Sequence, residues 1–227
     1  MSTILVTGAT RGIGREVARE LVNQGHNVYF GTRDLAVDTE LVDDIEGIAH
    51  WLAIDTSNSD SIRAAAERFG ELESQLDILI NNAGIYPDQG LSILDISRER
   101  MVDTLQTNTF GPLEVVQEFL PYLTKATQPR IINVSSGLGQ ITGLSADNPS
   151  YCLSKLALNG ITLMLAEKLK DQVAVNSVCP GWVKTDMGGE NAPRSIPEGA
   201  AGILWLALEA TPTLTGGFYR DGKPIEW

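Results

Sequence analysis

The sequence predicts an α/β fold: a doubly wound, Rossmann-like parallel sheet with helices on both faces, built as a single domain from residues 1–227. Three observations lead there. Short β-rich apolar runs alternate with longer stretches whose apolar residues recur at three- and four-residue steps. The first run passes into a glycine-rich turn that opens a helix, an arrangement that gathers backbone N–H groups around an anion. No repeat or linker divides the 227 residues, which suffice for one substantial core.

Composition removes several classes of function. A formal net charge of −12 argues against nucleic acid as a partner, because phosphate backbones need a basic surface. An anionic ligand must therefore be held by local donors. Cys152 and Cys179 have neither metal-site nor disulfide-framework spacing, so no metal is expected and a reducing compartment is favoured. The chain enters a strand at once, without a basic leader, and no apolar run is long enough to span a bilayer. The expectation is a soluble, cytoplasmic protein with no membrane partner.

Taken in order, Ser2 to Thr7 is the first strand, and Gly8-Ala9-Thr10-Arg11-Gly12-Ile13-Gly14 is the glycine turn. Val17, Ala18, Leu21 and Val22 mark the apolar face of the helix that follows. The spacing T-G-x-x-x-G-x-G differs from G-x-G-x-x-G, yet three glycines between strand and helix favour a nucleotide over a simple tight turn. Asn27 to Thr32 is the second strand, whose end should face the adenosine ribose. Position 32 holds no acid, and Arg33 and Arg11 are both basic, which favours a 2′-phosphate and hence NADP over NAD. Asp34 is either a surface partner of Arg33 or a rival for the ribose.

Ile48 to Ile54 is the third strand, ending in Asp55-Thr56, and Asn58 or Ser59 caps a helix through Phe69. Asp77 to Ile80 is the fourth, ending in Asn81-Asn82-Ala83-Gly84, where small residues let backbone lie close to a flat ligand. Arg98 to Thr124 is a long helical region with Asn108 inside it, bent or broken by Gly111-Pro112. Arg130 to Val134 is the fifth strand, followed by Ser135-Ser136-Gly137 and a loop from Gly139 to Pro149. A helix then runs to about Leu169. Val173 to Val178 is the sixth strand, Pro197 to Ala210 a helix with proline in its first turn, and Gly216 to Tyr219 a short last strand before a tail. Right-handed crossovers put the glycine turn, Arg33, Asp55, Asn82, Ser136 and Pro180-Gly181 around one cleft at the carboxyl ends of the strands.

The chemistry centres on the helix beginning Ser150-Tyr151-Cys152-Leu153-Ser154-Lys155. Tyr151 and Lys155 are one helical turn apart and lie on the same face. An ammonium beside a phenol should move its pKa down from about 10 towards the range of general acid–base work. Alone, the pair is common by chance and favours the plainer reading of a core tyrosine and a snorkelling lysine. The surrounding motifs change that balance.

Together, Thr7-Gly8-x-x-x-Gly12-Ile13-Gly14, Asn81-Asn82-Ala83-Gly84, Asn108, Asn133-Val134-Ser135-Ser136, Tyr151-x-x-x-Lys155 and Pro180-Gly181-Trp182-Val183-Lys184-Thr185 resemble the short-chain dehydrogenase/reductase family over essentially the whole chain. The resemblance implies hydride transfer between a nicotinamide cofactor and a carbonyl or alcohol. It implies that Tyr151 is the acid–base residue and Ser136 holds the substrate oxygen. Lys155 would bind the nicotinamide ribose and lower the tyrosine pKa, and Asn108 would position a water in a proton path from Lys155. The implied cofactor contacts are Gly8, Thr10, Arg11, Gly12, Ile13, Gly14, Arg33, Asp55, Thr56, Asn82, Ala83, Gly84, Tyr151, Lys155, Pro180, Gly181, Val183 and Thr185.

Thr32-Arg33-Asp34, the residues around Tyr151 and the ending Gly216-Gly217-Phe218-Tyr219-Arg220-Asp221-Gly222-Lys223-Pro224 look like the NADPH-dependent carbonyl reductases. Two departures bear on the details. Ser136 and Tyr151 stand slightly further apart than is common in the family, which leaves Ser135 as the other candidate serine. The insertion that some monomeric carbonyl reductases carry before the tyrosine is absent, which leaves a homodimer or homotetramer open through the helices of Asn108 and Tyr151. The expected activity is reduction of small or medium aldehydes and ketones with NADPH. Tyr86, Ile141, Leu144, Trp182 and Met187 would form an apolar substrate wall of broad range, with Lys184 or Arg194 the basic residues nearest to it. The alternative is an NADPH-binding regulatory protein that kept the fold without turnover. The complete set Asn108, Ser136, Tyr151 and Lys155 argues against it.

Overall fold

The computed structural model describes residues 1–35 and 49–227. Its strands are β1 (Thr3–Thr7), β2 (Asn27–Thr32), β3 (Ala49–Ala53), β4 (Ile78–Asn81), β5 (Arg130–Val134), β6 (Ala174–Val178), β7 (Phe218–Arg220) and β8 (Lys223–Pro224). They form one sheet in the order β3-β2-β1-β4-β5-β6-β7-β8, parallel except for the β7–β8 pair. Ile48, the expected first residue of the third strand, lies outside the described residues.

The apolar runs produce this sheet because both of its faces are covered. Successive side chains alternate between the faces, so Ile4 and Val6 join one core while Leu5 joins the other. Helix α1 (Gly12–Asn23) packs on the first face through Val17, Ala18 and Leu21. Helix α6 (Ile196–Leu204) lies beside it, capped by Ser195 in a reciprocal arrangement with Glu198 and extended by a π-turn, Trp205–Glu209. On the second face, α2 (Ser59–Leu72) and α4 (Gly111–Leu123) bury Ile62, Phe69, Val115 and Phe119. Helix α5 (Pro149–Lys168) joins them through Ala166. None of the helices among the described residues is long and apolar enough to cross a membrane.

Two local readings are corrected. The expected break at Gly111-Pro112 is a π-turn, Gln106–Phe110, that joins α3 (Arg98–Leu105) to α4 without interrupting the helical path. The proline is tolerated because it falls in the first turn of α4, where the preceding ladder is already rearranged by the wider turn. The tail after β7 folds back as β8, through Asp221 and Gly222 at φ 52° and 70°. Asp-Gly between two short strands is a recognised hairpin signal, and it was present in the sequence.

Asn58 caps α2 by accepting from the Asp60 and Ser61 amides, at 3.0 and 3.1 Å. Asn58→Ala should cost about 0.5–2 kcal/mol of stability, read from the shift in urea midpoint, and leave ligand binding intact.

Candidate active site

The carboxyl ends of β1, β4, β5 and β6 converge around the glycine turn and the start of α5. Gly8 adopts a φ of 64°, and a Cβ there would come within 2.8 Å of the Ala83 Cα. This close approach is locked by hydrogen bonds. The Thr7 hydroxyl accepts from the Asn82 and Ala83 amides, and the Asn82 side chain donates to the Thr7 and Gly8 carbonyls. The Asn82 side-chain amide thus ties the end of β4 to the glycine turn. Helix α1 starts directly behind, with no side-chain cap and no acid in its first turn. Its free N–H groups and positive dipole end are suited to a phosphate. Thr185 closes the far side, since a Cβ on Gly12 would meet its methyl at 3.3 Å.

Around the tyrosine, α5 buries two polar side chains together. Tyr151 is 9% exposed and Lys155 5%. The Ser136 hydroxyl adjoins the Tyr151 phenol and pulls its pKa down, whereas the Ser135 hydroxyl is buried and turned to the Lys155 carbonyl at 3.4 Å. Between the two candidate serines, Ser136 is therefore the one that faces the phenol. Its hydroxyl also accepts from the Leu138 amide at 3.2 Å. The Lys155 ammonium donates to the Val134 carbonyl at 2.9 Å and lies 5.7 Å from the centre of the Tyr151 ring. The segment after Ser136 can approach α5 because residue 139 is glycine: a Cβ there would meet the Lys155 backbone at 2.7 Å.

The electrostatics differ from the sequence expectation. Burial dominates at Tyr151 and pushes the phenol well above its ordinary range, opposed by the neighbouring Ser136 hydroxyl and not by Lys155. Burial also pushes Lys155 down to about 8. Desolvation outweighs the expected charge effect because both groups are withdrawn from water, and the ammonium is directed at a carbonyl oxygen.

Asn108 is fully buried, contrary to the usual fate of a mid-helix asparagine. Its side chain accepts from the Ile85 amide and donates to the Ile85 carbonyl, each at 2.8 Å, and donates to the Ser154 hydroxyl at 3.0 Å. A methyl at Gly84 would lie 3.3 Å from Asn108 Oδ1 and 3.6 Å from Lys155 Nζ, so these three residues meet at one point.

The Arg11 guanidinium pairs with Asp186 at 2.9 Å, tying the glycine turn to the segment after β6, while Arg33 is exposed at the end of β2. The Asp34 amide donates to the Thr32 hydroxyl at 3.2 Å. Asp55 accepts from the Ser57 amide and hydroxyl, and Thr56 is buried against Gly111. Thr10 and Ile13 are partly buried in the glycine turn. Gly181 packs on the Arg194 side chain, whose guanidinium is taken up by Asp221, and Val183 is buried. Pro180 stays partly exposed at the end of β6. Tyr86 lies against the Tyr151 ring, centres 4.3 Å apart. Ile141, Trp182 and Met187 are exposed, and Trp182 is anchored by its indole N–H on the Gly188 carbonyl. Leu144 instead lines an apolar depression of about 260 Å³ with Ile93, Pro149, Cys152 and Leu153, which Tyr151 does not border.

Two features had no signal in the sequence pattern. The Cys179 thiol accepts from the Gly137 amide at 3.2 Å and from Arg220 at 3.0 Å, which braces the turn after Ser136 from β7. Asp88 is buried at the first turn of α5. Both join residues remote in sequence.

A nucleotide-ready glycine turn joined to buried Tyr151 and Lys155, with the half-buried Ser136 beside them, defines a dehydrogenase or reductase of the short-chain type. The chain belongs to the short-chain dehydrogenase family, whose model matches residues 2–195, and is an oxidoreductase. It is 33% identical over 215 residues to the oxidoreductase UcpA of Salmonella typhimurium, covering 92% of this chain and 80% of that protein. An NADPH-bound carbonyl reductase from chicken fatty liver superposes with a TM-score of 0.92 at 31% identity, over 100% of this chain and 99% of that one. The carbonyl reductase Sniffer of D. melanogaster gives 0.89 at 33% identity, over 100% of both chains.

The buried lysine has a stability signature. Between about pH 8 and pH 10 the unfolded chain keeps a proton on residue 155 that the folded chain has lost, so this group makes stability rise with pH across that window. Above about pH 10 the unfolded phenol ionises while the buried Tyr151 does not, and its contribution falls. Lys155→Met should remove the rise, measured as the change in urea midpoint from pH 7.5 to 10.

Proposed function

We propose that this protein is an NADPH-dependent carbonyl reductase acting on a range of small and medium aldehydes and ketones. The observation that carries the reading is the buried Tyr151 phenol, with the Ser136 hydroxyl beside it and the buried Lys155 ammonium 5.7 Å from its ring centre. A carbonyl oxygen taking on alkoxide character needs donors already in place, and these two hydroxyls supply them. A phenol held above its ordinary pKa is fully protonated at neutral pH, which suits proton donation in the direction of reduction. NADPH, when bound, supplies the hydride.

The residues present fit that cofactor. The uncapped start of α1 and the backbone of Gly8, Gly12 and Gly14 would hold the pyrophosphate. Arg33, exposed where no acid stands at position 32, would take the 2′-phosphate. Arg11 would join it by exchanging its exposed partner Asp186, since surface ion pairs are weak. Lys155 would hold the nicotinamide ribose. Asn108 Oδ1 keeps a second lone pair, with which it would orient a water on the path to Lys155. Tyr86, Ile141, Trp182 and Met187 would form an apolar rim for substrate, with Leu144 beside it. Arg194 is committed to Asp221, which supports a preference for uncharged carbonyl compounds. We place the protein in the cytoplasm, as a homodimer or homotetramer joined through α3 and α5, which leave Val102, Leu163 and Met164 exposed.

The reading is tested by loss of NADPH absorbance against a panel of aldehydes, ketones and reactive dicarbonyls. Tyr151→Phe should still bind NADPH while reduction falls by about 10²–10⁴-fold. Retention of most of the rate would overturn the role given to Tyr151. Arg33→Ala should weaken NADPH far more than NADH, because NADH carries no 2′-phosphate. Equal losses in the two binding titrations would place Arg33 away from the phosphate.

A further inference from the structure

The helix that carries Tyr151 is capped from elsewhere in the chain. Asn148 stands at the N-cap position of α5 but makes no side-chain bond to the helix. Its Oδ1 accepts from the Tyr86 hydroxyl at 2.7 Å and from the Gly90 amide at 3.2 Å. The first-turn amides are taken instead by Asp88, whose Oδ2 accepts from Ser150 N at 2.6 Å and Tyr151 N at 3.3 Å. Asp88 is 1% exposed, and its Oδ1 has no hydrogen-bond partner among the described residues. A half-satisfied buried carboxylate is costly, and a surface cap such as serine would serve a helix whose start needed only to be stable. What Asp88 adds is position. One of its two amides belongs to Tyr151, and the positive end of the α5 dipole holds the carboxylate there.

The segment bearing Asp88 is itself fixed along its length. Ile85 is bonded on both sides to Asn108, the Pro87 carbonyl accepts from Arg100 at 3.2 Å, and Ile93 N donates to the Ala146 carbonyl at 2.7 Å. Tyr86, two residues before Asp88, lies against the face of the Tyr151 ring. The same strap therefore holds the tyrosine by its backbone and by its ring.

We propose that Asp88 is a positioning residue for the Tyr151 phenol: by capping α5 in trans it sets the first turn of the helix so that the phenol meets Ser136. This rests on the reading of Tyr151 as the proton donor. Asp88→Ala should lower kcat by about 10- to 100-fold. Its NADPH dissociation constant, followed by cofactor fluorescence, should stay within about threefold. Asp88→Asn keeps an oxygen that can accept from both amides and should recover most of the turnover. Asp88→Glu keeps the charge but displaces the cap in a closed site, and should be nearly as slow as Ala. Should the alanine variant not fold, Asn against Glu decides alone: a fast Glu and a slow Asn would show that charge matters, and would overturn the proposal. In a Tyr151→Phe background Asp88→Ala should cost nothing further, because its effect runs through the phenol. An equal proportional loss in both backgrounds would mean a general structural role and would also overturn it. Wild-type rates in Tyr151→Phe would remove the underlying reading. A slow Tyr151→Phe with a fast Asp88→Ala would remove the Asp88 proposal alone.

Discussion

Two polar side chains, Tyr151 and Lys155, are buried together on one face of one helix, and much of the surrounding structure exists to make that tolerable. An ammonium withdrawn from water needs an oxygen, and Lys155 finds the Val134 carbonyl at the end of β5. The buried phenol has the Ser136 hydroxyl beside it. Both partners lie at one strand end, so α5 must run close over the chain that leaves β5. Gly139 permits this, and the Asn159 side chain reinforces it by donating to the Gly139 carbonyl at 3.1 Å.

The same demand explains the π-turn. A regular helix through residues 98–123 would present its side chains in an unbroken series of faces. The wider turn at Gln106–Phe110 rotates Asn108 inward, where it bonds both Ile85 and Ser154. Thr109 follows it, donating to the Ser154 carbonyl at 2.8 Å. One irregularity thus joins the loop after β4 to the helix of the tyrosine.

The nucleotide side of the cleft obeys a different rule. There the chain withholds its own caps: α1 begins without a side-chain acceptor, whereas α2, α3 and α6 each have one. Asn82 closes the glycine turn without filling it, and the turn offers amides and a helix end instead of charge. Local donors of this kind suit an anion in a chain whose net charge of −12 would otherwise repel it.

The sheet, its parallel sense and the convergence of the strand ends were legible because period-2 and period-3.6 apolar patterns are local, and crossover handedness does the rest. Tyr151, Lys155 and Ser136 could be named because their spacing and their places at a helix start and a strand end are also local. The sequence could not say that burial would outweigh the charge of Lys155 at Tyr151, because desolvation depends on everything packed around the pair. Nor could it pair Arg11 with Asp186, brace Cys179 with Arg220, or bring Asp88 to the start of α5. Those contacts join residues far apart in the chain, and no periodicity records them. Local patterning picked out the candidate residues, and the tertiary packing decided what each of them is held against.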